Sequence, residues 1–260
     1  MSGVRVLRIA LVALVLPVVL FVVWWFGSAS STNMYFPPLS SILSAFTRTW
    51  TGPTLRDDGI VSLVRLVVGY ALATVVGVSV GVAVGTSRVL RELTEPAMEF
   101  IRSVPPPTLV PVFILIAGIG DVSKVAIIAF GAVWPILLNS VEGARAMDEV
   151  LVDTCRTYGI RGPARLRHLV LRSASPQIVT GMRQALAVAI VLMVVSEMFA
   201  ATNGIGFQII TYQRTFQITQ MWSGILLLSL VGVVAAGLFA IFESRVLRWY
   251  RGLRLSLIHI

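Results

Sequence analysis

Side chains able to make or break covalent bonds are scarce in this 260-residue chain. Its two histidines, His168 and His259, supply no credible His-based metal cluster and no Ser-His-Asp triad. The single lysine, Lys124, follows Asp121-Val122-Ser123, and no Gly-rich loop ends in Gly-Lys-Ser or Gly-Lys-Thr. The chain therefore has no phosphate-binding loop of its own, and any ATP that drives it must bind another polypeptide. No catalytic residue, metal ligand or cofactor is assigned. Cys155 stands alone, which rules out an intrachain disulfide. The groups that stand out are two charges inside apolar sequence, Arg65 and Glu197. Ion-coupled carriers usually hold more intramembrane acids than this.

The surrounding elements explain why those two charges matter. Hydrophobic residues make up 57% of the chain and charged residues 13%, against roughly 25% charged in soluble domains. Apolar runs long enough to span a bilayer recur. We expect spans near 9–26, 61–85, a third ending near 119 and broken by Pro105, Pro106, Pro107 and Pro111, then 123–139, 178–201 and 222–242. The fold class is all-α: a polytopic membrane protein with about six transmembrane helices in one domain, residues 1–254. On this layout Arg65 and Glu197 lie near the same end of their spans, each about 6 Å deep at 1.5 Å per residue. Pairing would relieve the cost of both charges. The alternative has Arg65 reaching the headgroups while Glu197 faces water in a solute path.

Sixteen arginines flank the spans on the side of both termini and five basic residues lie on the other. The richer side should be cytoplasmic, so both termini are expected there, in the cytoplasmic membrane. This distribution accounts for the net charge of +9 without nucleic acid. The N-terminus has some features of a secretory signal, but its apolar stretch is long and ends on Trp24-Trp25. Residues 255–260 break the basic pattern before them and read as a non-native tail, a short native tail being the alternative.

The longest polar connection, about 142–176, reads as two short helices. The first spans Asp148 to Tyr158, with Leu151, Cys155 and Tyr158 on one face and Gly159 as its stop. The second begins near Pro163, with Leu166, Leu169 and Val170 apolar. Such a pair could lie on the bilayer with its arginines on lipid phosphates, or be presented to a partner's groove. The stretch Asp153-Thr154-Cys155-Arg156-Thr157-Tyr158-Gly159, followed after nine residues by Leu169-Val170-Leu171-Arg172, resembles the coupling loop of ABC importer permeases. That loop reads Glu-Ala-Ala, three residues, Gly, nine residues, Ile-x-Leu-Pro. Asp153 stands for its Glu, Thr154-Cys155 for Ala-Ala and Arg172 for its Pro. Phe36-Pro37-Pro38, Ser62 to Gly69, Arg102-Ser103-Val104-Pro105-Pro106 and Ser196-Glu197-Met198 are similar to the branch that serves aliphatic sulfonates, nitrate or taurine.

The resemblance implies a type I ABC importer permease fold. It also implies a pair of permeases, two copies of an ATP-binding subunit beneath them and an extracytoplasmic solute-binding protein above. Asp153, Thr154, Cys155, Gly159, Leu169 and Leu171 would form the coupling loop. A secondary transporter acting without an ATPase is the competing reading, and a membrane scaffold without transport is a third.

Three further features are legible. Gly69, Ala73, Gly77, Gly81 and Gly85 recur every four residues, suiting close helix packing within one subunit or at a subunit seam. Pro105, Pro106 and Pro107 interrupt backbone hydrogen bonding and mark either a static kink or a gate. Residues 202–220, rich in glutamine and aromatics, suit a docking surface or a lid.

Overall fold

The computed structural model describes residues 3–199 and 201–250, with side chains from residue 15 onward; the expected tail at 255–260 lies outside the described residues. Among the described residues there is no strand. Eleven helices follow one another: α1 Gly3–Ser28, α2 Leu39–Trp50, α3 Ile60–Thr86, α4 Arg88–Arg102, α5 Val110–Ala117, α6 Asp121–Arg145, α7 Glu149–Thr157, α8 Gly162–Arg165, α9 Leu171–Phe199, α10 Ile205–Arg214 and α11 Ile218–Val246. A π turn, Leu55–Gly59, leads into α3. Another, Leu166–Val170, joins α8 to α9, so that Gly162–Phe199 is one 38-residue rod.

Four stretches are long and apolar enough to cross a membrane: Leu55–Thr86, Asp121–Arg145, Gly162–Phe199 and Ile218–Val246. The pair Arg88–Arg102 and Pro106–Ala117, bent by 80°, forms either a broken fifth span or a re-entrant loop. α1, the expected first span, runs 26 residues, of which the described apolar part is Val15–Ser28. The spans at 61–85, 123–139 and 222–242 fall inside α3, α6 and α11. One expectation is corrected. The second helix of the polar connection is not a separate short helix but the root of α9. Leu169 and Val170 are buried, and Val170 packs with Val82, Ala144, Ala174 and Ile178. That packing carries the helix on through Pro176.

The core is a stack of α3, α6 and α9. Lipid tails are as apolar as leucine, so helices in a bilayer associate through close contact rather than through expulsion of water. α3 supplies it with its small-residue stripe. A Cβ at Gly77 would lie 2.9 Å from Ile136, one at Gly81 2.6 Å from the Leu137 carbonyl, and one at Gly85 2.7 Å from the Val141 carbonyl. The stripe thus serves packing within this chain. On the other side of α6, a Cβ at Gly181 of α9 would lie 2.6 Å from the Pro135 carbonyl. Leu66, Ile128, Ala132, Ile136, Ala189 and Met193 fill the space between.

α2, unassigned by the sequence pattern, buries Leu39, Ile42 and Trp50. Trp50 Nε1 donates to Ser223 Oγ of α11 at 3.1 Å. Trp222 joins α1 to α11, with its ring edge-on to Trp24 and its Nε1 donating to the Tyr35 carbonyl.

Gly81→Ala should lower stability by about 1–3 kcal/mol, the usual result of overpacking. Gly237→Ala, with nothing within 4 Å of the added carbon, should be neutral or slightly stabilising. Thermal unfolding of the two variants in detergent checks the contrast, and equal melting temperatures would refute it.

Candidate functional site

Two regions hold the residues singled out by sequence, one at each end of the spans. At the end where α3 begins, Asp58, Ser62 and Arg65 share a helical face at spacings of four and three. All three are buried, as is Glu197 of α9, which is 1% exposed. Arg65 Nη1 donates to Glu197 Oε1 at 2.8 Å. Its Nε and Nη2 both donate to Asp121 Oδ1, at 2.8 and 2.5 Å. Nη2 also donates to Asn203 Oδ1 at 2.6 Å, and Nη1 to the Asn203 carbonyl at 3.1 Å. Glu197 further accepts from Ser62 Oγ at 2.7 Å and from the Gly206 amide at 2.9 Å. Ser62 Oγ in turn accepts from the Ile205 amide at 2.8 Å. Asp58 accepts from the Gly204 amide and from Gln208 Nε2, both at 2.8 Å.

Three successive amides, of Gly204, Ile205 and Gly206, are therefore held by side chains of α9 and of the α3 entry. They form the N-terminus of α10, where the helix dipole favours the two carboxylates beside it. Gly204 is required here. Its φ is +121°, and a Cβ would fall 2.6 Å from Glu197 Oε1. Lys124 is also buried at this end, its Nζ donating to the Gly120 carbonyl at 3.0 Å. Glu197 thus faces a closed network rather than an open path. Burial makes these bonds interdependent, because removing one partner of a buried ion pair strands the other charge at a cost of about 3–5 kcal/mol.

At the opposite, arginine-rich end stands α7. Asp148 caps it, its Oδ1 accepting from the Val150 amide at 2.8 Å. Gly159 closes it at φ +67°, with the Ile160 amide returning to the Cys155 carbonyl at 2.8 Å and the Gly159 amide to Arg156 at 3.1 Å. This is the six-to-one bond of a Schellman cap, and it needs the left-handed residue. Asp153 pairs with Arg156 at 2.9 Å on an open surface, where such pairs contribute little. Thr154 Oγ1 bonds back to the Val150 carbonyl at 2.7 Å. No residue of α7 is buried. Val150, at 71% exposure, and Tyr158, at 79%, lie open together with Leu151. A recess of about 370 Å³ beside it is lined by Val152, Ile160, Gly162 and three arginines, Arg156, Arg161 and Arg165. The residues named for the coupling loop divide accordingly. Asp153, Thr154, Cys155 and Gly159 belong to the open helix, whereas Leu169 is buried and Leu171 half-buried at the root of α9.

The prolines form the knuckle between α4 and α5. Pro105 is extended and Pro106–Leu109 makes a 3-10 turn. Pro106 sits against Gly131 of α6, where a Cβ would lie 3.2 Å away.

Residues 73–248 match the family model described as binding-protein-dependent transport system inner membrane component. The chain belongs to this family. Relatives include the putative aliphatic sulfonates transport permease SsuC of Bacillus subtilis, 27% identical over 91% of this chain and 86% of that one. The taurine transport system permease TauC of Escherichia coli is 27% identical over 89% of this chain and 87% of its own. The bicarbonate transport system permease CmpB of Synechococcus elongatus is 27% identical over 95% and 94%. An inward-facing structure of the MetNI methionine ABC transporter shares the fold. Its TM-score is 0.62 at 21% identity, covering 74% of this chain and 95% of that one. The chain is thus a multi-pass permease of the ABC importer type, a transport component rather than an enzyme.

Several residues of the Glu197 cluster in this permease escaped the sequence reading: Asp58, Asp121, Asn203 and Gly204. The 58–62–65 spacing and the Asn203-Gly204 dipeptide were the available signals. Neither indicates that the two segments meet.

Arg65→Ala and Glu197→Ala should each destabilise the permease strongly. The double variant should lose about 1–3 kcal/mol less than the sum of the singles. Unfolding in detergent across the four-member cycle measures this, and strictly additive losses would show that the contact contributes nothing of its own.

Proposed function

We propose that this permease carries a small solute across the cytoplasmic membrane under the drive of a separate ATP-binding subunit docked on α7 and its flanks. The arginine-rich end is cytoplasmic and holds both termini. Two permeases pair around the path, two ATP-binding subunits sit beneath them, and a solute-binding protein delivers from outside. The relatives named for aliphatic sulfonates, taurine and bicarbonate point to small anionic or zwitterionic solutes. The proline knuckle at Pro105, Pro106 and Pro107 is the gate segment in this reading, and the domain is 1–254 with 255–260 a non-native tail.

The observation that carries the docking assignment is the openness of α7. It is a capped, regular helix whose apolar side chains Val150, Leu151 and Tyr158 have no cover in the monomer. A nine-residue amphipathic helix is too short to persist by its own propensity, and apolar side chains left open on one face suit a partner's groove. The arginine-lined recess beside it adds positive charge for acidic groups of that partner. Lipid phosphates are the other potential occupant of those arginines.

Gly159→Val tests the assignment. A Cβ added there meets nothing within 4 Å, so the main effect falls on the cap, where a left-handed β-branched residue costs about 1–2 kcal/mol. Recovery of the ATP-binding subunit on the purified permease should fall about tenfold for each 1.4 kcal/mol, while the amount of permease in the membrane stays level. Undiminished recovery would remove α7 from the contact. Solute uptake by the isolated permease in proteoliposomes without ATP would overturn the ATP-driven reading as a whole.

A further inference from the structure

α10 is shared between two bodies. One is the core of α3, α6 and α9. The other is α2 with α11, which α10 joins through Trp50, Ile205, Ile209 and Leu227. Between α11 and the core lie two apolar recesses. One, of about 410 Å³, is bounded by Leu66, Tyr70 and Val234; the other, of about 550 Å³, by Leu186, Gly232 and Phe239. Side chains therefore interlock poorly along much of that seam. Leu228 and Val231 of α11 pack on the core beside these recesses, and the seam is further tied at its two ends. At the arginine-rich end Arg183 pairs with Glu243, and Phe239 and Leu247 pack on Val179. At the other end the closure is α10 itself. Its apolar face belongs to α2 and α11, while its first amides are held by Asp58, Ser62 and Glu197 of the core.

Two further observations give this junction a direction. The turn after α10 is open, and its apex, Phe216, is a non-glycine residue at φ +56° and 62% exposed. The turn is bonded back to α10, the Phe216 amide to the Gln213 carbonyl and the Gln217 amide to the Tyr212 carbonyl. In addition, Glu197 stands on the same unbroken rod, Gly162–Phe199, whose far end begins next to α7. At 1.5 Å per residue its 38 residues span about 57 Å. A hydrogen-bonded charge cluster in a water-poor setting cannot slide without stranding a charge, so a shift of α10 moves the rod.

We propose that Asp58, Ser62, Arg65 and Glu197 are positioning residues that pass a displacement of the α10–α11 turn to the coupling segment at the other end of α9, a role that rests on the docking reading of α7. Without the cluster, α10 keeps its apolar seat on α2 and α11 and the close approach of Gly206 to the Val194 carbonyl, but loses the hydrogen bonds that tie its first amides to Asp58, Ser62 and Glu197.

Hydrogen exchange by mass spectrometry on the full-length permease in lipid nanodiscs tests this without any partner. In Glu197→Gln and Asp58→Asn, amides of 149–165 should exchange roughly threefold or more faster than in the parent, while those of 69–85 in the core hold their rates. A change confined to 203–209, with 149–165 at parental rates, would overturn the proposal and leave the cluster a local structural feature. Should Glu197→Gln speed the core amides as well, Asp58→Asn at the edge of the cluster decides by the same two readouts. The measurement needs the permease alone, so failure of the docking reading, seen as undiminished recovery of the ATP-binding subunit on Gly159→Val, is read out separately.

Discussion

Backbone-to-backbone contact between α3 and α6 is the constraint on which the rest of this permease depends. Inside a bilayer every helix is already surrounded by apolar material, and little is gained by trading lipid for leucine. What remains is dispersion, which falls off over fractions of an ångström. Gly77, Gly81 and Gly85 let the two helices approach until one presents its carbonyls where the other would carry a Cβ. Gly181 repeats the device between α6 and α9. The result is a three-helix stack rigid enough to hold charges at fixed positions.

Those charges would otherwise be a liability. Glu197 and Arg65 lie where water is scarce and an unpaired ion is costly. The stack brings the beginning of α3, the beginning of α6 and the end of α9 to one place, so that one guanidinium meets Glu197, Asp121 and Asn203 together. The carboxylates then hold the start of α10, an extra-span helix that long-range hydrophobic contacts also tie to Trp50 and Leu227. Satisfying a buried charge and fastening a surface helix are here the same set of hydrogen bonds.

The opposite end follows another logic. α7 has a side-chain cap at its start and a glycine cap at its stop, yet buries none of its residues. Its neighbour in sequence, the turn Leu166–Val170, is instead drawn into the core through Leu169 and Val170. A stable root beside an open helix is what a contact surface for a second protein requires: the root fixes position, and the open side chains remain available. The 80° bend at the prolines lies further along the spans, held against the middle of α6 through Pro106 and Gly131.

Much of this was legible in the residues alone. Apolar run length determined the spans at α3, α6 and α11, because bilayer thickness sets a minimum helix length whatever the packing. The turn at Gly159 followed from local backbone chemistry. The coupling-loop spacing, a matter of sequence register, pointed to the family. The stripe from Gly69 to Gly85 announced close packing but not its partner, which the placement of α6 decided. The Arg65–Glu197 expectation rested on similar depth, a one-dimensional property. That Asp58, Asp121 and Asn203 complete the cluster depended on the rotation of three helices about their axes and on the path of the loop before α10. α8 begins near Pro163 as its sequence suggests, but its continuation into α9 was likewise decided by tertiary burial of Leu169 and Val170. Local sequence fixes length, caps and charge count; which side chains face one another depends on helix rotation, and that is set by packing between segments more than a hundred residues apart.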